Sequence, residues 1–133
     1  MEHLYVQDED RFFIKIALED IYYIETIKST HYCKVVHRNG EGRIHADIKP
    51  LDRKTEGYFF KTKSSTLANI RLVQGVDIKY RILYFEKNIC CSYAARVSKE
   101  LKERLPLTYF RENVKSMLRE GGGKGGQSAV ASI

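Results

Sequence analysis

The chain has 133 residues, 43% of them hydrophobic, which is enough to bury a core without disulfide or metal staples. No run approaches the roughly 18 consecutive apolar residues of a membrane-spanning helix, and the opening MEHLYVQDEDR has no apolar segment of the signal-peptide kind, so a cytoplasmic protein is expected. Lys and Arg outnumber Asp and Glu by 23 to 17, and the resulting +6 suits a polyanionic partner without requiring one.

Nine Tyr and six Phe with no Trp favour β positions. Phe12, Ile14, Ile16 and Leu18 recur at period two, which predicts a half-buried strand. Glu19-Asp20 turns the chain into a second strand, Ile21 to Thr26. Lys28-Ser29-Thr30-His31 then separates it from a third, Tyr32 to Arg38. Asn39-Gly40-Glu41-Gly42 is a hairpin signal, because Asn and Gly tolerate positive φ, and Arg43 to Ala46 is the returning strand.

The period changes at Asp47. That residue is a candidate N-cap, and Pro50 is tolerable only in a first turn, so one short helix is expected over 47–53. Tyr58-Phe59-Phe60 reads as a buried aromatic run, Lys61 to Thr66 as a polar segment, and Leu67 to Ile70 as apolar again. Strands are expected over Arg71–Lys79, Arg81–Phe85 and Ile89–Tyr93, with Glu86-Lys87-Asn88 as a turn. Val97, Leu101 and Leu105 line one face of a helix over 95–105, which Pro106 stops.

Leu107, Phe110, Val114 and Met117 or Leu118 repeat at helical spacing, predicting an extra amphipathic helix within 106–120. The glycine-rich stretch from Gly121 predicts a flexible tail over 121–133. The fold expected is mostly β: short antiparallel strands in sheets, a short central helix and one or two C-terminal helices.

Enzyme signatures are missing. There is no Walker loop, no G-x-G-x-x-G, no G-x-S-x-G and no H-E-x-x-H, so neither catalysis nor a cofactor is expected. His31, Cys33 and His37 share one face of a predicted strand, and a metal there would need His45 from the next strand; no metal site is expected. Adjacent Cys90 and Cys91 point to opposite faces of a strand, and three cysteines make no disulfide framework.

Cations and hydroxyls interrupt the β pattern at three places: Lys28 to His31, Lys61 to Thr66, and Arg96 with Lys99. Lysines and hydroxyls contact phosphates and fix register, whereas Arg, His and Ser reach base edges in a groove. Lys28, Ser29, Lys61, Lys63, Ser65 and Lys99 are the candidates for backbone or auxiliary contacts. Any one of these could be a solvated loop; three together weaken that reading, and their chemistry suits DNA.

The order of these segments resembles the LytTR-type DNA-binding domain of bacterial response regulators, in its quorum- and competence-regulating branch. The resemblance is carried by FIKIALEDIYYIETIKSTHYCKVV, with Asp20-Ile21 and Glu25 ahead of the K-S-x-H loop. It continues in GYFFKTKSSTLANI and ends in ILYFEKNICCSYAARVSKEL. It covers about residues 4–105, so residues 1–105 are assigned to this domain. The resemblance implies loops that read successive major grooves of promoter repeats and bend the duplex. His31 matches its base-reading histidine and Arg96 its arginine near the last helix. Ser64 stands where the family often has asparagine, so the middle contact falls to Ser64, to Lys63 or to a phosphate. Asn69 matches a structural turn position. The resemblance also implies a receiver domain, missing from this chain, and allows a dimer on DNA. Two other readings compete: a protein-interaction or dimerisation module built on 107–118, and a single-stranded RNA binder stacking bases on Tyr22, Tyr32 and Tyr84.

Overall fold

The computed structural model describes residues 2–105; the expectations for 106–120 and 121–133 lie outside the described residues. The chain divides into two units, one ending at Arg71 and one beginning at Leu72. The first is a seven-stranded antiparallel sheet: β1 (His3–Gln7), β2 (Phe13–Ala17), β3 (Ile21–Thr26), β4 (Tyr32–His37), β5 (Gly40–His45), β6 (Phe60–Lys63) and β7 (Thr66–Ala68). Its spatial order is β2-β1-β5-β4-β3-β7-β6. Helix α1 (Ile48–Lys54) lies against β3 and β7.

Alternation explains the core. Leu4 and Val6 of β1, Ile24 of β3, Cys33 and Val35 of β4 and Leu67 of β7 are buried with Ile48 and Leu51 of α1 and with Phe59. Each such aliphatic or aromatic side chain contributes about 1.5–3 kcal/mol on burial. On the other face Lys34 lies over the Tyr23 ring, with Nζ 5.6 Å from its centroid.

The sheet differs from the sequence reading at several points. Strand β1 was not anticipated, although HLYVQ alternates with Leu4 and Val6 inward. The face through Phe12, Ile14, Ile16 and Leu18 is only half buried. Ile16 and Leu18 are in the core, while Phe12 is 69% and Ile14 42% exposed. β2 is an edge strand with β1 on one side only, and the buried cluster extends no further than Ile16. The segment Lys61 to Thr66 is not a polar loop but a hairpin with the two-residue turn Ser64-Ser65, and it buries Thr62 and Thr66.

The β4–β5 turn is Arg38-Asn39, and of the expected Asn-Gly pair only Gly40 takes positive φ, at 138°. Gly42 serves another need. A Cβ there would overlap Cγ1 of Val6 and lie 2.7 Å from the Gln7 carbonyl oxygen, so only glycine lets β1 approach β5.

The second unit is a three-stranded antiparallel sheet, β8 (Gly75–Asp77), β9 (Ile82–Tyr84) and β10 (Cys90–Ser92), in the order β10-β9-β8. The strand expected over Arg71–Lys79 is shortened. Its start is a 3₁₀ turn over Ile70–Leu72, and its end is a turn in which the Asp77 carboxylate accepts the Tyr80 N–H at 2.9 Å. At the expected turn Glu86–Asn88, Lys87 and Asn88 take positive φ of 59° and 63°. Cys91 is buried and Cys90 exposed, on opposite faces as expected. The helix expected over 95–105 begins as a 3₁₀ turn over Ala95–Val97 and continues as α2 (Ser98–Arg104), with Leu101 buried.

Gly42→Ala is expected to destabilise the protein by about 1–3 kcal/mol through overpacking against β1, measured as a lower urea midpoint. His37 supplies a pH test. Burial pushes its imidazole below the ordinary value, against an opposing pull from Asp20, and the Asn39 N–H donates to its Nδ1 at 3.3 Å, so that nitrogen carries no proton. The unfolded chain therefore binds the proton better. Stability is full above the ordinary value of 6.5 and is lost as pH falls through it toward the lower native value. Thermal melts between about pH 7.5 and 5 are expected to show this fall, and His37→Gln to flatten it.

Candidate nucleic-acid interface

Sheet register brings several loops of the first unit to one end. Tyr32 at the start of β4 pairs with His45 at the end of β5, and Glu25 near the end of β3 pairs with Thr66 at the start of β7. The β3–β4 loop, the β5–α1 junction and the Ser64-Ser65 turn therefore share that end. The Thr26 N–H donates to the Ser65 carbonyl at 2.9 Å and ties the first loop to the turn.

The β3–β4 loop is held by its own Thr30. The Thr30 hydroxyl donates to the Ile27 carbonyl at 2.7 Å and accepts the Tyr32 N–H at 3.0 Å, while the Ile27 N–H donates to the Tyr32 carbonyl at 2.9 Å. Ser29 sits in the left-handed region at φ 66°. With the backbone so occupied, Lys28, Ser29 and His31 are exposed, and the His31 side chain keeps 81% of its surface open.

Asp47 has the extended backbone of an N-cap but makes no capping bond, contrary to the sequence expectation. Its Oδ1 lies 3.3 Å from Nδ1 of His31 instead. At the neighbouring turn Ser64 is exposed and Ser65 half-buried. The buried Thr66 hydroxyl donates to Oε2 of Glu25 at 3.1 Å, and Lys63 Nζ reaches the same oxygen at 4.0 Å. Of the two candidates for the middle contact, Lys63 is drawn back toward Glu25 and Ser64 is left at the tip. Lys61 is exposed. Sequence reasoning missed Asp47 and Glu25 as anchors of these loops, because neither partner is near in sequence.

The residues weighed for a metal have separate uses. Cys33 is buried, its thiol donates to the Ala46 carbonyl at 3.2 Å, and burial pushes its pKa up. The His45 ring stacks on Tyr32 at 4.7 Å, and Arg43 covers the same Tyr32 ring, also at 4.7 Å. Tyr22, one of the proposed stacking platforms for RNA, is 1% exposed and cannot present a face. Asn69 is fully buried: its side chain donates to the Leu18 carbonyl at 3.4 Å and accepts the Arg71 N–H at 3.2 Å. In the second unit Arg96 is exposed in the 3₁₀ turn and Lys99 is exposed in the first turn of α2. Among the described residues no helix is long and apolar enough to cross a membrane.

Residues 11–106 match the family model of the LytTr DNA-binding domain. Among solved structures, the chain is similar to the LytTr DNA-binding domain assigned to a methyl-accepting/DNA response regulator of Bacillus cereus. The TM-score is 0.66 at 10% identity, over 77% of this chain and 95% of that one. No curated protein matches the sequence.

Glu25→Ala is expected to cost about 1–3 kcal/mol, because the buried Thr66 hydroxyl loses its acceptor. Adding Thr66→Val should return part of that loss, so the double variant falls short of the sum in a urea-denaturation cycle.

Proposed function

The chain belongs to the LytTr DNA-binding domain family, and we propose that it is the sequence-reading effector module of a cytoplasmic response regulator of two-component type. Its partner is double-stranded promoter DNA. The observation that carries this reading is the loop cluster at one end of the first sheet. There, the Thr30 hydroxyl holds the backbone at Ile27 and Tyr32, while His31, Lys28, Ser29 and Ser64 remain exposed.

In this reading His31, Ser64 and Arg96 contact base edges, and Lys28, Ser29, Lys61, Lys63, Ser65 and Lys99 contact phosphates or assist. One major groove is only about 12 Å wide, so the His31 loop and the Arg96 segment enter successive grooves about 10–10.5 base pairs apart. Bending the duplex brings both into reach, at a cost of order 1–6 kcal/mol. Direct repeats in a promoter, occupied by two copies, and control of quorum or competence genes complete the proposal.

The test uses a duplex selected by this chain from a random pool. Arg96→Ala should lose about 1–3 kcal/mol of discrimination against random DNA. Lys99→Ala should weaken specific and random duplexes alike and lower the salt slope by about 1. Equal loss on both duplexes for Arg96→Ala would make it a phosphate contact. A chain that enriches no duplex would overturn the reading.

A further inference from the structure

Asp47 stands at the N-cap of α1 with backbone φ −90° and ψ 161°, yet its carboxylate makes no capping bond to the helix. It faces His31 across 3.3 Å, with 57% of its side-chain surface exposed against 81% for the histidine. A carboxylate beside a base-reading residue is an anion offered to a polyanion, and it weakens binding unless neutralised. The group placed to neutralise it is the His31 imidazole, whose Nδ1 lies 3.3 Å from the Asp47 carboxylate. A doubly protonated ring donates Nδ1–H to Asp47 and keeps Nε2–H for the duplex. Here the second ring nitrogen is set by what the first is bonded to.

We infer that Asp47 is the positioning residue of His31: it takes the Nδ1–H, turns Nε2 toward the groove, and makes sequence-specific binding take up one proton. His31 then meets DNA as a donor, suited to an acceptor on a base edge. The inference rests on the proposed reading of His31 as a base contact. Lys28 lies on the same loop as His31, and Arg43 and His45 of β5 pack on Tyr32, the residue after His31. His45 is the second imidazole on this part of the sheet.

Two measurements decide it. In the DNA-free protein, nitrogen-detected NMR of the His31 ring should show the neutral form protonated at Nδ1, reverting to Nε2 in Asp47→Ala. In binding to the selected duplex, wild-type affinity should rise as pH falls from about 8 to 6, by up to tenfold per unit for one proton. Random duplex should show a smaller rise, His45→Gln should keep the specific slope, and Asp47→Ala should flatten it. Asp47→Ala should also bind random duplex at least as tightly as wild type, having lost a negative charge, while its specific-to-random ratio falls about tenfold. Asp47→Asn, which keeps an acceptor but no charge, should retain orientation and lose the slope.

If His31→Ala abolishes specificity while Asp47→Ala leaves the tautomer and the pH slope unchanged, the inference fails and the reading of His31 stands. If His31→Ala leaves specificity intact, both fail. Loss of the slope in His45→Gln would move the proton to that residue and overturn the assignment to Asp47.

Discussion

Strand β3 is the member on which the loop cluster depends. It pairs with β4 on one side and β7 on the other, and its residues Ile21 and Ile24 are fully buried. From its end run the loop carrying Lys28 to His31 and, through Thr26 and Glu25, the bonds that hold the Ser64-Ser65 turn. A strand bonded on both edges cannot slip by one residue without sending every side chain to the opposite face of the sheet. The positions of two loops are therefore consequences of one register.

Polar contacts tie the loops together. Thr30 closes its own turn, Thr66 and Lys63 share Glu25, and Asp47 faces His31. Exposed ion pairs contribute little to stability, so the value of these contacts lies in where they hold side chains. A reading residue that keeps one orientation loses less entropy on binding than one that must be ordered by the ligand.

The strands of the first sheet were legible because period two survives in single segments: Ile21 to Thr26 and Tyr32 to His37 fall where the alternation places them. Where reasoning failed, position in the sheet overrode the pattern. The aromatic alternation of β2 pointed to a buried face, but an edge strand extending past the core leaves Phe12 and Ile14 in solvent. Polar composition hid the β6–β7 hairpin, since Thr62 and Thr66 look like loop residues until a neighbouring strand buries them. Gly42 read as a hairpin residue, and its need became visible only when β1 was placed against it.

By itself the sequence determined the class of the fold, most of its strands and the three segments where cations and hydroxyls gather, because these follow from local periodicity and composition. Only the tertiary structure decided that the His31 loop and the Ser64 turn meet at one sheet end. It also turned Lys63 back toward Glu25 and gave Asp47 to His31 rather than to the helix it precedes. Those outcomes join residues 16 to 41 positions apart. Such pairings are set by strand register and packing, which no local pattern encodes.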